Sequence, residues 1–133
     1  MNRRFFITGL SLCVGGVALP AGGKTQVTGA PAKGFIHHVF FWLKEPKNSI
    51  AREQFQEGLK KLVTVSEIVE YHLGVPADTH RDVVENSYTY SLLLFFKDKA
   101  DQDIYQTHPI HLQFIEECSA LWDRVEVYDT VPF

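Results

Sequence analysis

Cysteine, long hydrophobic runs and excess positive charge are all scarce in this sequence. Only two of the 133 residues are cysteines, and the formal net charge is −3. A negative balance argues against a nucleic-acid-binding protein, because such proteins need clustered positive charge to neutralise phosphates. No internal repeat or low-complexity tract is visible. The composition, 45% hydrophobic and 22% charged, is typical of one soluble globular domain.

The first 23 residues resemble a bacterial export signal. Arg3 and Arg4 precede an apolar run from Phe5 to Leu19, and small residues follow it. The order from Arg3 to Ile7 resembles the twin-arginine pattern. The alternative is an uncleaved membrane anchor, but the run of about 15 residues is shorter than the roughly 20 that a spanning helix needs. We therefore expect cleavage between about Ala18 and Gly23, and a periplasmic or secreted protein with no stable membrane insertion.

The rest of the chain divides into a leader and a domain. Residues 24–33 are rich in Thr, Gly, Ala and Pro, which predicts a flexible leader. The folded domain is predicted over residues 34–133. Cys118 is its sole cysteine, so no intrachain disulfide can form there even in an oxidising compartment. The core must hold the fold without a covalent cross-link.

Hydrophobic periodicity predicts an α+β domain of the ferredoxin-like βαββαβ type, with one four-stranded antiparallel sheet. Strands are predicted over residues 35–44, 68–75, 88–96 and 124–131. An amphipathic helix follows Asn48 or Ser49, and a second runs from Asp98 to His108 and restarts at Pro109 toward Trp122. The first and third strands are apolar on both faces, which predicts that they are central and that the other two lie at the edges.

Two helices can cover only one face of such a sheet. The central strands place further apolar side chains on the opposite face, and no sequence remains to bury them. A second copy of the chain is the economical candidate, since most such assemblies are symmetric homodimers. We therefore expect two sheets packed face to face through the helix-free sheet face, which carries Ile36, Phe40, Trp42, Leu93 and Phe95.

The helix that begins at Pro109 carries a histidine where an apolar residue is expected. Thr107 or His108 can cap its start. Residues at spacings of three and four then define one face: His111, Phe114, Ile115, Cys118, Leu121 and Trp122. An imidazole in this position is either a hydrogen-bonded structural histidine or a group that faces a cavity.

The chain from about Phe35 to Phe133 resembles the stress-responsive α/β-barrel (Dabb) family of dimeric α+β barrels. The resemblance rests on His37 and Lys44 at the two ends of the first strand, the segment Tyr105–His111, Trp122 and the closing pair Tyr128-Asp129. In a plant polyketide cyclase of this family, a tyrosine and a histidine matching Tyr105 and His111 are the catalytic pair. The resemblance implies a pocket between sheet and helices, lined by His37, Val39, Phe41, Phe55, Leu59, His108 and Trp122.

Two functions remain open for such a domain. In the first, the protein binds a small apolar organic molecule and acts on it by cyclase- or lyase-like acid–base chemistry, with His111 as the base and Tyr105 as a hydrogen-bond donor. In the second, it is a non-enzymatic binding or stress-protection protein whose pocket is structurally filled.

No cofactor is predicted. His108 and His111 are three residues apart and His37 could join them, but no carboxylate or thiolate lies beside them at ligand spacing, so no metal site is expected. Related dimeric barrels include haem proteins, yet no feature of this sequence selects haem.

Overall fold

The computed structural model describes residues 34–133. The predicted signal peptide, residues 1–23, and the predicted leader, residues 24–33, lie outside this part of the chain. Across the described residues, no helix has both the length and the apolar character needed to cross a membrane.

The described chain folds as four strands and three α-helices in the order β1-α1-β2-β3-α2-α3-β4. The strands pair in the spatial order β2-β3-β1-β4, and every neighbouring pair is antiparallel. This confirms the predicted α+β, ferredoxin-like fold with β1 and β3 at the centre. The elements are β1 (Phe35–Leu43), α1 (Ser49–Leu62), β2 (Ile68–Gly74), β3 (Tyr90–Phe96), α2 (Lys99–Thr107), α3 (Pro109–Cys118) and β4 (Trp122–Thr130).

Strand β1 alternates strictly between its two faces. Its odd-numbered residues are buried under the helices, and its even-numbered residues are half-buried on the helix-free sheet face. On β3, Leu92, Leu94 and Phe96 are buried on the helix side, while Leu93 and Phe95 are half-buried on the other. Because antiparallel partners share a face, these two strands together form the floor of the core and most of the helix-free sheet face.

Side chains fix where each helix begins. The Asn48 side chain accepts hydrogen bonds from the backbone of Ile50 and Ala51 at 3.0 and 3.1 Å, and α1 starts there. Asp98 does the same for α2 by accepting from the Asp101 backbone at 3.0 Å. These caps satisfy backbone N–H groups that have no partner inside the helix.

The third helix is shorter than predicted. It ends at Cys118, a 3-10 turn covers Ser119–Leu121, and Trp122 is already the first residue of β4. The Trp122 ring nevertheless packs on Phe41 in the core, at a centroid distance of 5.2 Å. A spacing of three and four residues could not separate a helical core residue from a strand residue that returns to the same core.

The edge strands are more exposed than their apolar residues predict. On β2 the register shifts between Ile68 and Glu70, which leaves Val69 unpaired in the register and 57% exposed. On β4, Val125 and Val127 pair with Phe41 and Val39 and so lie on the helix side of the sheet. They remain 43% and 48% exposed, because the helices leave this edge of the sheet open. We call these two residues the β4 strip.

Gly58 allows α1 and α3 to pack closely. A Cβ atom at this position would lie 2.4 Å from the Cys118 Sγ atom and 3.3 Å from the Phe114 ring. The sequence predicted close packing here, because a glycine inside a helix costs about 1 kcal/mol relative to alanine and needs compensation. Cys118 is therefore a buried packing residue of the helix pair.

We expect Gly58→Ala to lower the free energy of unfolding by about 1–3 kcal/mol, because the new methyl group overpacks the contact with Cys118. In a Cys118→Ala background the same substitution should be neutral or stabilising, since the clash is gone and alanine favours the helix. Urea denaturation of the four proteins measures this coupling. Equal effects of Gly58→Ala in both backgrounds would contradict the packing role of Cys118.

Candidate functional site

A polar cluster lies inside the helix-covered half of the domain. It consists of His37 on β1, Tyr105 on α2, His111 on α3 and Asp129 on β4. His37 and Asp129 are register partners on neighbouring strands, and His37 Nδ1 lies 2.6 Å from an Asp129 carboxylate oxygen. The His37 side chain is 6% exposed and that of Asp129 is 45% exposed. The pair therefore links the interior to solvent.

Asp129 is the residue of this cluster that reasoning from the sequence missed as a site residue. It was noted only as part of the closing pair Tyr128-Asp129, and a carboxylate in an edge strand usually faces solvent. The β1–β4 register is what places it opposite His37. Because a carboxylate can only accept, His37 Nδ1 donates the hydrogen bond that joins it to Asp129.

Tyr105 lies at the centre of the cluster. Its ring centroid is 5.7 Å from that of His37 and 4.7 Å from that of His111, and it is 1% exposed. Burial raises the pKa of the Tyr105 phenol, because the anion would lose its hydration. At neutral pH the Tyr105 hydroxyl is therefore a hydrogen-bond donor and not a base.

His111 enters the cluster from the first turn of α3. Its Nδ1 atom is buried and has no hydrogen-bond partner among the described residues. Burial lowers the pKa of His111, a hydrogen bond with the Gln106 backbone raises it, and the nearby His37 lowers it. The imidazole is therefore neutral at pH 7 and able to accept a proton.

Tyr105 and His111 are in contact, but no hydrogen bond joins them within residues 34–133. The two rings are tilted by 57° and meet ring against ring. Buried histidine nitrogens are usually hydrogen-bonded, and Nδ1 of His111 has no such partner among these residues.

His108 has a capping role. Its Nδ1 accepts a hydrogen bond from the Ile110 backbone at 3.1 Å, and Pro109 occupies the first turn of α3. The structure confirms that a helix restarts here, and it selects His108 over Thr107 as the cap. This bond requires an unprotonated Nδ1. The assignment of His108 as a ligand-contacting residue stays a prediction.

The predicted pocket wall is close-packed core. Val39, Phe41, Phe55 and Leu59 are buried, and Trp122 is half-buried beside them. The Phe41 ring lies 5.0 Å from Phe55 and 5.2 Å from Trp122, which leaves these aromatic side chains in mutual contact. Their role as ligand-contacting residues stays a prediction.

A shallow depression on the protein surface lies elsewhere, between α1 and α3. It is open to solvent, and none of the predicted site residues lines it. It adjoins the Gly58 contact and is a consequence of helix packing there. Metal ligation offers no alternative centre within residues 34–133, where no three His, Cys, Asp or Glu side chains are grouped to hold an ion.

Comparison with known proteins identifies the domain. The family model described as the stress responsive A/B barrel domain (Dabb) matches residues 35–132. The chain belongs to the Dabb family. A stress-response A/B barrel domain-containing protein of Arabidopsis thaliana is 24% identical over 97 residues, which are 72% of this chain and 84% of that protein.

Solved structures show the same fold. A hydroxynitrile lyase from Passiflora edulis aligns with a TM-score of 0.64 at 20% identity, over 77% of this chain and 96% of the lyase. A dimeric ferredoxin-like protein of unknown function from Thermobifida fusca aligns with a TM-score of 0.61 at 17% identity, over 74% and 91% of the two chains. At these identities the likeness establishes the Dabb fold, and any activity must be argued from the site.

We expect His111→Leu to leave the free energy of unfolding unchanged or to raise it by about 1 kcal/mol, because an apolar side chain removes the unpartnered buried nitrogen. Phe114→Ala, one turn further along the same helix, should lower it by about 3–5 kcal/mol through loss of a core ring. Thermal and denaturant unfolding measure both. A marked loss of stability in His111→Leu would show that the imidazole is kept for packing.

Proposed function

We propose that this Dabb domain binds a small apolar organic molecule at the polar cluster and acts on it by acid–base chemistry. The observation that carries the proposal is the buried, unpartnered Nδ1 of His111 beside the Tyr105 ring. Folding has desolvated this base without giving it a protein partner. A substrate that brings an acidic hydrogen to Nδ1 would supply the missing contact.

The groups of the cluster suit the formation of an enolate. His111 would take the proton from the carbon beside a carbonyl group, and the electron pair of that C–H bond would move onto the carbonyl oxygen. The Tyr105 hydroxyl would donate a hydrogen bond to this oxygen as its negative charge develops. Delivery of the proton from His111 to the enolate oxygen would give the enol isomer. Alternatively, the enolate carbon would attack a second carbonyl group to close a ring, and the oxygen of that carbonyl would take the proton from His111.

The His37–Asp129 pair would provide a second titratable group at the other side of Tyr105. Asp129 orients the His37 ring through the contact between its carboxylate and Nδ1. This arrangement can hold a proton between two steps of a reaction. Lyase-like chemistry also needs such a group, because one proton must be removed and another returned.

The β4 strip supplies a route for an apolar molecule. Val127 and Val125 lie two and four residues before Asp129 on the same face of β4, and both remain half-exposed. They form an apolar path along the open edge of the sheet that ends at the His37–Asp129 pair. A compound with an aliphatic or aromatic body and one carbonyl group would match this path.

The alternative function is binding or stress protection without catalysis. It is favoured by the close packing of Phe41, Phe55 and Trp122, which occupies the space of the predicted pocket. Under this alternative, the polar cluster contributes to a filled core and no compound is turned over.

A screen of enolisable carbonyl compounds separates the two functions, and hydroxynitriles are included because one structural neighbour is a hydroxynitrile lyase. For a compound that is turned over, His111→Ala should lower kcat/KM by about 10²–10⁴-fold, and Tyr105→Phe should lower it less. His80→Ala is the matched control. It changes an exposed histidine of the β2–β3 loop and should leave kcat/KM unchanged. Unchanged turnover by a folded His111→Ala variant would contradict the assignment of His111 as the base.

The second part of the proposal is an exported homodimer that forms through the helix-free sheet face. No helix of the described chain covers this face, and Tyr88 of the β2–β3 loop packs only beside Phe40 and Trp42. Five apolar side chains are therefore only half-buried there: Ile36, Phe40, Trp42, Leu93 and Phe95. Dimeric structural neighbours such as the Thermobifida fusca protein support a second copy as the cover. Removal of the predicted signal peptide on export would yield the mature subunit.

Native mass spectrometry of the exported protein should show a dimer of subunits cleaved between about Ala18 and Gly23. Phe95→Glu should give monomers, because it adds a charge to the helix-free sheet face beside Glu70. Trp42→Glu is less informative, since Arg124 lies 4.1 Å from the centre of the Trp42 ring and could pair with the new carboxylate. Val83→Glu, in the exposed β2–β3 loop, is the control and should remain dimeric. A dimeric Phe95→Glu variant would place the interface elsewhere.

A further inference from the structure

One row of side chains crosses the helix-free sheet face and carries two histidines. Consecutive register partners place His72 of β2, Leu93 of β3, His38 of β1 and Tyr128 of β4 in this row. His38 is at its centre, half-buried, with its ring 4.2 Å from that of Phe40. A titratable group thus occupies the middle of the surface that a partner subunit would cover.

The groups around His38 favour its neutral form. Burial lowers the pKa of His38, and His72 on the same face and His37 behind the sheet lower it further. Strand β3 contributes no titratable group beside it, since Ser91, Leu93 and Phe95 face this side.

The acidic groups of the face do not offset this effect. On β4, the two carboxylate oxygens of Glu126 bond to Arg124 and to the Tyr128 hydroxyl. On β2, Glu70 pairs with Phe95, and both lie in the neighbouring row along the strands, beside Ile36. No hydrogen bond or ion pair joins either carboxylate to His38 among the described residues.

We propose that dimerisation is pH-sensitive, and that protonation of His38 at the centre of the helix-free sheet face releases the partner subunit. The inference rests on the homodimer proposed above and adds its regulation. Twofold symmetry places a His38 from each subunit in the same interface, with His72 at the side. Covering this face removes water from both rings, so two positive charges would be buried in an apolar contact.

The sign follows from proton linkage. The pKa of His38 is lower in the dimer than in the monomer, because burial by the partner adds to the desolvation already present. The dimer therefore has its full affinity at a pH above the pKa that His38 has in the monomer. The affinity falls as the pH drops below that pKa. With one proton released by each subunit, the dissociation constant should rise about 100-fold per pH unit in that range, which begins below about pH 6.5.

Sedimentation velocity of the mature protein between pH 8 and pH 5 tests the proposal, with near-ultraviolet circular dichroism to follow the fold of the subunit. The wild-type protein should be dimeric at pH 8 and should dissociate, still folded, as the pH falls through the range below 6.5. His38→Leu should remain dimeric down to pH 5, because it keeps the apolar contact and removes the charge. His38→Gln is the second variant, in case leucine alters the packing, and it should show the same flat profile. His80→Gln, at an exposed histidine, should follow the wild type.

The outcomes distinguish this inference from the proposal on which it rests. A wild-type protein that is monomeric at pH 8 would overturn the homodimer and the switch together. A dimer whose dissociation constant stays constant down to pH 5 would overturn the switch alone. Acid dissociation that is unchanged in both His38 variants, or that coincides with unfolding of the subunit, would also overturn it.

Discussion

Strand β1 must be buried on both of its faces, and the architecture of the domain depends on this requirement. Its odd-numbered side chains form the base of the helix-covered core, and its even-numbered ones form the centre of the helix-free sheet face. Its two edges bond to β3 and β4, and β1 itself carries His37 opposite Asp129 of β4. A strand of this kind cannot lie at an edge, and the helices of the described chain cover only one of its two faces.

The polar cluster interrupts a core that is otherwise built of apolar side chains. Two histidines and a tyrosine occupy positions that aliphatic side chains could fill, and burial disfavours the charged forms of Tyr105 and His111. Such a site costs stability unless its groups are paired. His37 is paired with Asp129, whereas His111 has an unpartnered nitrogen. This asymmetry is the physical basis for assigning His111 a role in chemistry and His37 a supporting one.

The open edge at β4 and the packed centre of the core divide the site into two parts. The aromatic rings around Phe41 exclude a large ligand from the centre, and the β4 strip offers apolar surface at the periphery. A ligand approaching along β4 would reach Asp129 first and then His37. The histidines of the helix-free sheet face, His38 and His72, are separated from this route by the sheet itself.

The sequence by itself determined the element order, the central position of β1 and β3, the caps at Asn48 and Asp98 and the helix restart at Pro109. These features depend on local periodicity and on hydrogen bonds that span a few residues, which are visible along the chain. The helical spacing singled out His111, and the resemblance to the Dabb family singled out Tyr105 beside it; their catalytic roles stay a prediction. The tertiary structure alone decided that Asp129 faces His37, that Trp122 belongs to a strand and that Val125 and Val127 lie at an open edge. Each of these depends on the register between β1 and β4, which joins residues about 90 positions apart and is set by packing across the whole sheet.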